Sequence, residues 1–230
     1  MAISAVHKTN ESGSGSTLTT TATLVPVVNR LYLCTVAQRA GVAPTVPTVS
    51  GGGGLTWVQV ATVAHSANFR AITLFRAMKS SGLTSGTVAA SFGGQSQTIS
   101  FITIEELTSI DTTGVDGAGA IVQSATAVST ANGTSSSVTL AAFADATNNA
   151  VFSSSCHTQI ENTNPESGYT ELSDQSGGGT GFEVAWKIGQ DTTPTTSWVT
   201  SSAWVALATE IKFASASGGA KTRTLLGAGG

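Results

Sequence analysis

The sequence predicts an all-β protein, an antiparallel two-sheet β-sandwich of jelly-roll-like type. Short segments that alternate apolar and polar residues recur along the chain, and clusters of Gly, Ser, Asn and Pro separate them. The segments RAITLFRAMK, residues 70–79, and ISFITIEEL, residues 99–107, each give one face that can enter a core. Antiparallel strands joined by turn-rich loops pack as two sheets or close as a barrel, and the jelly-roll-like sandwich is our first choice.

Strands are predicted wherever this alternation, or a run of β-branched and aromatic residues, is strong. The segments are residues 17–25, 30–38, 55–63, 69–79, 87–92, 97–107, 136–143, 150–156, 181–188 and 203–213. The best helix candidate, residues 118–131, is rich in Val, Ser and Thr and lacks a regular apolar stripe. We therefore predict that it is extended or irregular.

A run of four glycines, residues 51–54, precedes the third predicted strand. A phosphate-binding loop would need a lysine after the last glycine, then a hydroxyl residue and a helix. The residues that follow are Leu55, Thr56 and Trp57, at the start of an alternating segment. We predict that the run is a flexible loop that leads into a strand and binds no nucleotide.

The predicted organisation is one domain with two linker-like ends. Residues 17–213 form the sandwich, residues 1–16 an N-terminal arm, and residues 214–230 a Gly-rich tail with too little apolar content for a core of its own. The N-terminal segment lacks the basic and apolar regions of a signal peptide, so we expect a protein that assembles in a cytoplasm.

The composition argues against two classes of partner. Charged residues make up 10% of the chain and the net charge is -3, with Lys and Arg scattered singly. A nucleic-acid-binding face needs clustered cations, so we expect no nucleic-acid partner. No run of 18 apolar residues occurs, so we expect no membrane span.

The candidate catalytic residues do not form a recognisable motif. A hydrolase triad would need a His base, and only His7, His65 and His157 could supply it, without a nucleophile elbow beside any of them. The adjacent pair Glu105 and Glu106 should point to opposite faces of a strand, which makes a poor glycosidase pair. We predict no enzyme activity and no cofactor.

Three further groups of residues leave alternatives open. Cys34 and Cys156 each lie in an apolar β-like run; they could meet across a sheet, but buried free thiols are favoured. Asp111 and Asp116 could hold calcium with loop carbonyls, or form a solvated acidic turn, and no other metal site is predicted.

The four tryptophans could form a stacking platform for sugars or serve the core. Trp57, Trp186 and Trp204 lie in apolar strand patterns and are predicted to be core residues. Trp198 lies in the polar stretch TTPTTSWVTSS, so it is the predicted site for contact with a ligand or a partner.

Five segments, taken in order, resemble a β-sandwich module of tailed-bacteriophage structural proteins. They are NRLYLCTVA, GGGGLTWVQVATV, FRAITLFRAMKSSGLTSGTVAASFGG, ISFITIEELTSID and WKIGQDTTPTTSWVTSSAWVALATEIK. The resemblance spans residues 17–212 and rests on a diffuse pattern. It implies a head-decoration or cement protein, a head fibre or a tail-tip component, each of which binds other virion subunits. The family has no active site to carry over.

The resemblance leads to the expected function. We expect a non-enzymatic virion protein that decorates and stabilises the phage head, binds the major capsid protein, and forms a homo-oligomer such as a trimer. The alternative is a carbohydrate- or receptor-binding module of a phage tail or fibre, which predicts exposed aromatic side chains in the long loops. A glycan hydrolase is a third possibility, and it predicts that two loop carboxylates converge in a cleft.

Overall fold

The chain is all-β in the computed structural model, which describes residues 2–129 and 131–214. Its sheets are antiparallel and pack on one another, so the predicted β-sandwich class is confirmed. Among the described residues, no helix has the length and apolar character needed to cross a membrane.

The first half of the chain forms eight strands in two sheets. They are β1 (Ser4–Gly15), β2 (Thr17–Thr19), β3 (Leu31–Ala40), β4 (Thr48–Gly51), β5 (Val58–His65), β6 (Arg70–Ala77), β7 (Val88–Ser91) and β8 (Gln97–Thr108). A five-stranded sheet has the order β1-β8-β3-β6-β5, and a three-stranded sheet has the order β2-β7-β4.

The second half repeats this arrangement after a short 3-10 helix, Val115–Ala120. Its strands are β9 (Ile121–Val128), β10 (Gly133–Ser137), β11 (Ala150–His157), β12 (Asn164–Pro165), β13 (Thr170–Gly177), β14 (Thr180–Ile188), β15 (Thr195–Ser202) and β16 (Trp204–Ile211). The five-stranded sheet has the order β9-β16-β11-β14-β13, and the three-stranded sheet has the order β10-β15-β12.

The two halves therefore share one topology, strand for strand. If β9 to β16 are renumbered from one to eight, both sheet orders of the second half become those of the first. The register repeats as well, because Tyr32 in β3 pairs with Glu106, and Val151, at the same place in β11, pairs with Glu210. The chain is a tandem repeat of one jelly-roll-like sandwich, rather than the single sandwich predicted over residues 17–213.

The two five-stranded sheets pack face to face with an approximate two-fold relation. β1 of the first half contacts β13, the fifth strand of the second, and β9, the first strand of the second, contacts β5. Such reciprocal contacts are the mark of an isologous interface, in which the same surface is used by both partners. Here both partners belong to one chain.

A central apolar core fills the space between the two large sheets. Leu33, Leu74 and Phe101 from the first half pack in the same cluster as Phe152 and Phe182 from the second. The rings of Phe101 and Phe182 are stacked, with centroids 5.8 Å apart. Because both halves contribute side chains to this core, separation of the two large sheets would expose its apolar surface to water.

Each half has a second core beneath its three-stranded sheet. In the first half the apolar members of this core include Cys34, Val36, Phe75, Val88 and Phe92. In the second half the apolar cluster is smaller, and it is formed by Val138, Leu140, Phe143, Val151, Ala206 and Ala208. The molecule thus has four layers, with a large sheet and a small sheet on each side of the central core.

Polar contacts also join the halves at the β13–β14 turn. Arg39 and Arg70 of the first half donate hydrogen bonds to the carbonyl oxygens of Gly178 and Gly179, respectively. Arg70 is 6% exposed and also donates to Thr180 Oγ1 at 3.3 Å. The two guanidinium groups therefore satisfy the carbonyls of a glycine turn that has few partners of its own.

The N-terminal arm predicted over residues 1–16 is corrected by the structure. Ser4–Gly15 form β1, an edge strand paired with β8. Ile3 is buried in the central core, and the His7 imidazole lies 3.3 Å from the Glu105 carboxylate. The segment is polar because one side of this edge strand faces solvent. Its apolar alternation is therefore too weak to be recognised in the sequence.

The glycine run connects β4 to β5 as predicted, but it is packed rather than loose. All four glycines have positive φ, and a Cβ on Gly53 would lie 1.8 Å from the Thr84 carbonyl oxygen. The Gly52 amide donates to Thr87 and the Thr84 amide donates to Gly53. Glycine is required here because the two loops approach each other closely. The predicted extended segment at residues 118–131 contains β9.

Candidate functional site

Trp198, the predicted contact residue, is buried. Its side chain is 5% exposed, its indole stacks on the His157 ring at 4.6 Å, and its Nε1 donates to the Gly133 carbonyl at 3.0 Å. The prediction that Trp198 is available to a ligand or partner is therefore wrong for this structure. Trp57, Trp186 and Trp204 are half-buried against the three apolar clusters, as expected of residues at a core edge.

A polar patch lies under Trp198, inside the second sandwich. Ser155 pairs directly with Glu183 across β11 and β14, and His157 pairs with Gly181. These side chains share the face that is turned towards the small sheet, because Cys156 and Phe182 between them point into the central core. The His157 ring fills the space above Gly181, where a Cβ would lie 2.3 Å from Nε2.

The patch is unusual because its polar atoms have no protein partner. Ser155, His157 and Glu183 are at most 1% exposed, yet the Ser155 hydroxyl, both His157 nitrogens and both Glu183 oxygens accept or donate no hydrogen bond within the described chain. Burial lowers the pKa of His157 to about 4 and raises the pKa of Glu183 to about 8. Both side chains are therefore uncharged near neutral pH.

The equivalent positions of the first half carry different residues. Val36, Gln38 and Thr73 stand where Ser155, His157 and Glu183 stand in the second half, given the shared register. Val36 is apolar, the Gln38 amide donates to the Thr45 carbonyl, and the Thr73 hydroxyl bonds Thr62 at 2.9 Å. The patch is thus a property of one half and not of the fold.

The other sequence candidates serve the structure. His7 contacts Glu105, whose pKa is raised by burial and partly restored by hydrogen bonds from His7 and Thr103. Glu106 points to the opposite face, as predicted, and accepts a 2.5 Å hydrogen bond from the Tyr32 hydroxyl. His65 accepts from the Asn68 amide in the β5–β6 turn. The structure brings none of these groups into a shared catalytic geometry.

The acidic turn at residues 111–116 is held by a lysine. Lys212 Nζ lies 2.7 Å from the Asp111 carboxylate, and hydrogen bonds from Lys212 and Thr113 lower the pKa of Asp111 to about 2. Within residues 2–129 and 131–214, no group of three or more His, Cys, Asp or Glu side chains is placed to hold a metal ion. Asp111, one of the two residues considered for calcium, is thus paired with Lys212.

One pair of carboxyl groups was not found from the sequence. Glu166 and Asp191 lie close together beside Lys187, whose Nζ is 3.2 Å from Asp191 and 5.0 Å from the centre of the Tyr169 ring. Burial, and the nearby Asp191 carboxylate, raise the pKa of Glu166 to about 7. The residues are 25 positions apart and meet because β12, which ends just before Glu166, pairs with β15, which begins soon after Asp191, so no local signal could have revealed them.

A groove lies at the end of the molecule where β16 finishes. Its volume is about 600 Å³, and its apolar lining is Ala118, Ile121, Val122, Ala144 and Phe213. Its polar lining comes from Asp145, Asn148, Asn149 and Lys212. An apolar concavity with a few polar groups is the usual form of a binding site, and no sequence motif marked it because three separate segments build it.

The outer faces of the two small sheets form a second candidate surface. On the first half the outward residues include Thr17, Thr19, Thr48 and Ser50, and on the second half they include Ser135, Ser137, Ser197 and Val199. All are exposed and uncharged, and most carry a hydroxyl group. The molecule therefore presents two chemically similar faces on opposite sides.

The two cysteines are free and buried, which confirms the favoured interpretation. Cys34 lies in the core of the first half and Cys156 in the central core. Burial raises the pKa of Cys156 to about 12, so its thiol is unreactive at neutral pH.

Comparison with known proteins adds no family or neighbour. No protein-family model, no curated protein and no solved structure matches this chain.

Proposed function

We propose that this protein is a non-enzymatic structural subunit of a tailed-phage virion, one that decorates the head and binds the major capsid protein. The observation that supports this proposal is the tandem repeat of one sandwich about an approximate two-fold relation. Two copies of a surface on one rigid body can each bind a copy of the same partner. Jelly-roll sandwiches serve in viral shells and in lectins, so the fold class is compatible with the proposal.

Bridging explains how such a subunit would stabilise a shell. When one face has bound, the second face meets its partner at a high local concentration, so two weak contacts give one firm attachment. The outer faces are uncharged and rich in Ser, Thr and Ala, which suits a broad contact whose affinity depends little on salt. A homo-oligomer would multiply these contacts further.

The carbohydrate-binding alternative has lost its main support. It predicted exposed aromatic side chains in the loops, and Trp198, on which that prediction rested, is buried against His157.

The test is binding to purified phage heads, measured by co-sedimentation together with the solution mass from light scattering. We expect saturation at a fixed number of copies per particle. Thr48→Glu, on the outer face of the first half, and Ser197→Glu, on that of the second, should each weaken binding at least tenfold. Ser66→Glu, in the exposed β5–β6 turn away from both small sheets, is the matched control.

Two results would reject the proposal. Failure of the unmodified protein to sediment with heads would remove the decoration function. Binding that both face variants leave unchanged would remove the bridging mechanism.

A further inference from the structure

The groove at the end of β16 lies where the described chain stops. Phe213 and Lys212 form part of its wall, and Ala214, the last described residue, donates its amide hydrogen to the Ser109 carbonyl. The described chain therefore ends beside an apolar concavity of about 600 Å³, and 16 residues of the sequence follow it. The groove is therefore within easy reach of the residues that follow Ala214 in the sequence.

The composition of residues 215–230 fits such an occupant. Its sequence is SASGGAKTRTLLGAGG, in which Leu225 and Leu226 are the only large apolar side chains. Lys221 and Arg223 stand just before the two leucines. The rest is Gly, Ala, Ser and Thr, so the apolar pair is the one feature that an apolar groove could select.

The charges on the groove complement this segment. Lys212 is neutralised by Asp111, at 2.7 Å. Asp145, on the opposite rim, accepts hydrogen bonds only from the neutral donors Thr147 and Asn148 within the described chain. Those hydrogen bonds lower the pKa of Asp145, so its negative charge is present at neutral pH. An incoming cation would meet an anion at the rim.

We propose that residues 221–226 bind back into this groove in the same chain, with Leu225 and Leu226 against Val122 and Phe213 and the preceding cations near Asp145. The ten residues 215–224 can span roughly 30 Å when extended, at about 3.3 Å per residue, which is ample for a return to an adjacent groove. A short peptide tether gives an effective concentration in the millimolar range, so a modest contact suffices.

This contact goes beyond the virion proposal and does not depend on it. It assigns an occupant to the groove whatever particle or partner the outer faces bind. It also implies that a partner which needs the groove must first displace the C-terminal segment.

The test is the rate at which trypsin cleaves the full-length protein after Lys221 and Arg223, followed by mass spectrometry. Val122→Glu places a charge in the groove, and the double change Leu225→Ser with Leu226→Ser removes the apolar pair. Val128→Glu is the matched control, because Val128 lies on the same strand and is 43% exposed, against 42% for Val122. Thermal melting of each variant checks that the sandwiches remain folded.

We expect the unmodified chain and Val128→Glu to be cleaved about tenfold more slowly at these two sites than the groove variant and the double-leucine variant. Equal rates in all four proteins would overturn the proposal. Protection that appears only as the protein concentration rises would assign the groove to the tail of a second copy, and would overturn the same-chain contact.

Discussion

Glu183 lies inside the second sandwich, away from solvent. Its carboxyl group is fully buried, and its pKa is raised to about 8 from an ordinary value near 4.5. The folded state therefore holds a proton that the unfolded state releases between about pH 4.5 and 8. Stability from this group is complete at low pH and is lost as the pH rises through that window.

We expect Glu183→Gln to reduce the loss of stability between pH 5 and pH 9. The amide cannot ionise, so the variant should lose less melting temperature than the unmodified protein over this range. Glu161→Gln makes the same change at a carboxylate that accepts from the Thr200 amide at the surface, and it serves as the control. Parallel pH profiles for the unmodified protein and Glu183→Gln would show that Glu183 does not ionise inside the sandwich.

Trp198 should matter for stability because of its burial. Trp198→Ala removes the stacking on His157 and the hydrogen bond to Gly133, and should lower the free energy of unfolding by about 3–5 kcal/mol. Val199 is next in sequence and is 82% exposed, so Val199→Ala should change it by less than about 0.5 kcal/mol. Urea denaturation of both variants measures the difference, and a near-neutral Trp198→Ala would show that the stacking contributes little.

The sequence could not rank the four tryptophans because their burial depends on distant residues. Apart from Val199, the sequence around Trp198 is polar, and the ring on which its indole stacks belongs to His157, 41 positions earlier. The same holds for the Ser155, His157 and Glu183 patch. Its members look like unrelated polar residues until the register of β11 and β14 brings them together.

At the scale of elements, β1 is the clearest difference between expectation and structure. If residues 1–16 formed a free arm, their removal would not affect the fold. In the structure, this removal deletes an edge strand, the buried Ile3 and the His7 contact with Glu105. We expect this truncation to lower the melting temperature by at least about 5 °C or to prevent soluble expression. Removal of residues 215–230 is the control, and it should lower the melting temperature by clearly less, because it removes the contact proposed for the groove and no described strand.

Most of the strands that sequence analysis found contribute to the central core, although β2, β5 and β7, at an edge or in a small sheet, were predicted as well. β3, β6, β8, β11, β14 and β16 were all predicted, and each contributes to the central core. The strands it missed include β1 and β13, which are edge strands, and β4, β10 and β15 in the small sheets. Such strands bury at most one face, so Ser, Thr and Gly suffice there and the apolar alternation is weak.

Each edge strand of the two large sheets carries an irregularity in its pairing. The register shifts between His7 and Thr9 in β1, between Gln59 and Ala61 in β5, between Glu171 and Ser173 in β13, and where β9 meets Glu210. A bulge bends and twists an edge so that a foreign strand cannot continue the ladder. The edges are thereby protected, which directs association to faces and loops.

At the scale of the molecule, the shared central core should make the two sandwiches unfold together. Leu74 and Phe101 of one half pack in the same cluster as Phe152 and Phe182 of the other, so exposure of either half removes core from its neighbour. We expect one calorimetric transition with equal calorimetric and van't Hoff enthalpies. Two separate transitions would show that the small-sheet cores suffice to hold each half alone.

The tandem repeat could not be predicted from the sequence, although the sandwich class could. The hydrophobic periodicity of a strand shows which of its faces is buried. It carries almost no information about the order of the strands in a sheet. Equivalent positions have also diverged in chemistry, as Thr73 and Glu183 show, while keeping the same strand partners. Only the conserved acid pair, Glu106 and Glu210, and the sheet orders reveal the relation.

A pair of sandwiches joined by residues 109–120 differs from an ordinary dimer in its response to dilution. Two separate sandwiches held by the same central core would come apart once their concentration fell below the dissociation constant. The peptide link keeps the effective concentration of each half constant, so the interface survives at any concentration. The molecule can therefore act as a single preassembled copy, without a threshold abundance for its paired form.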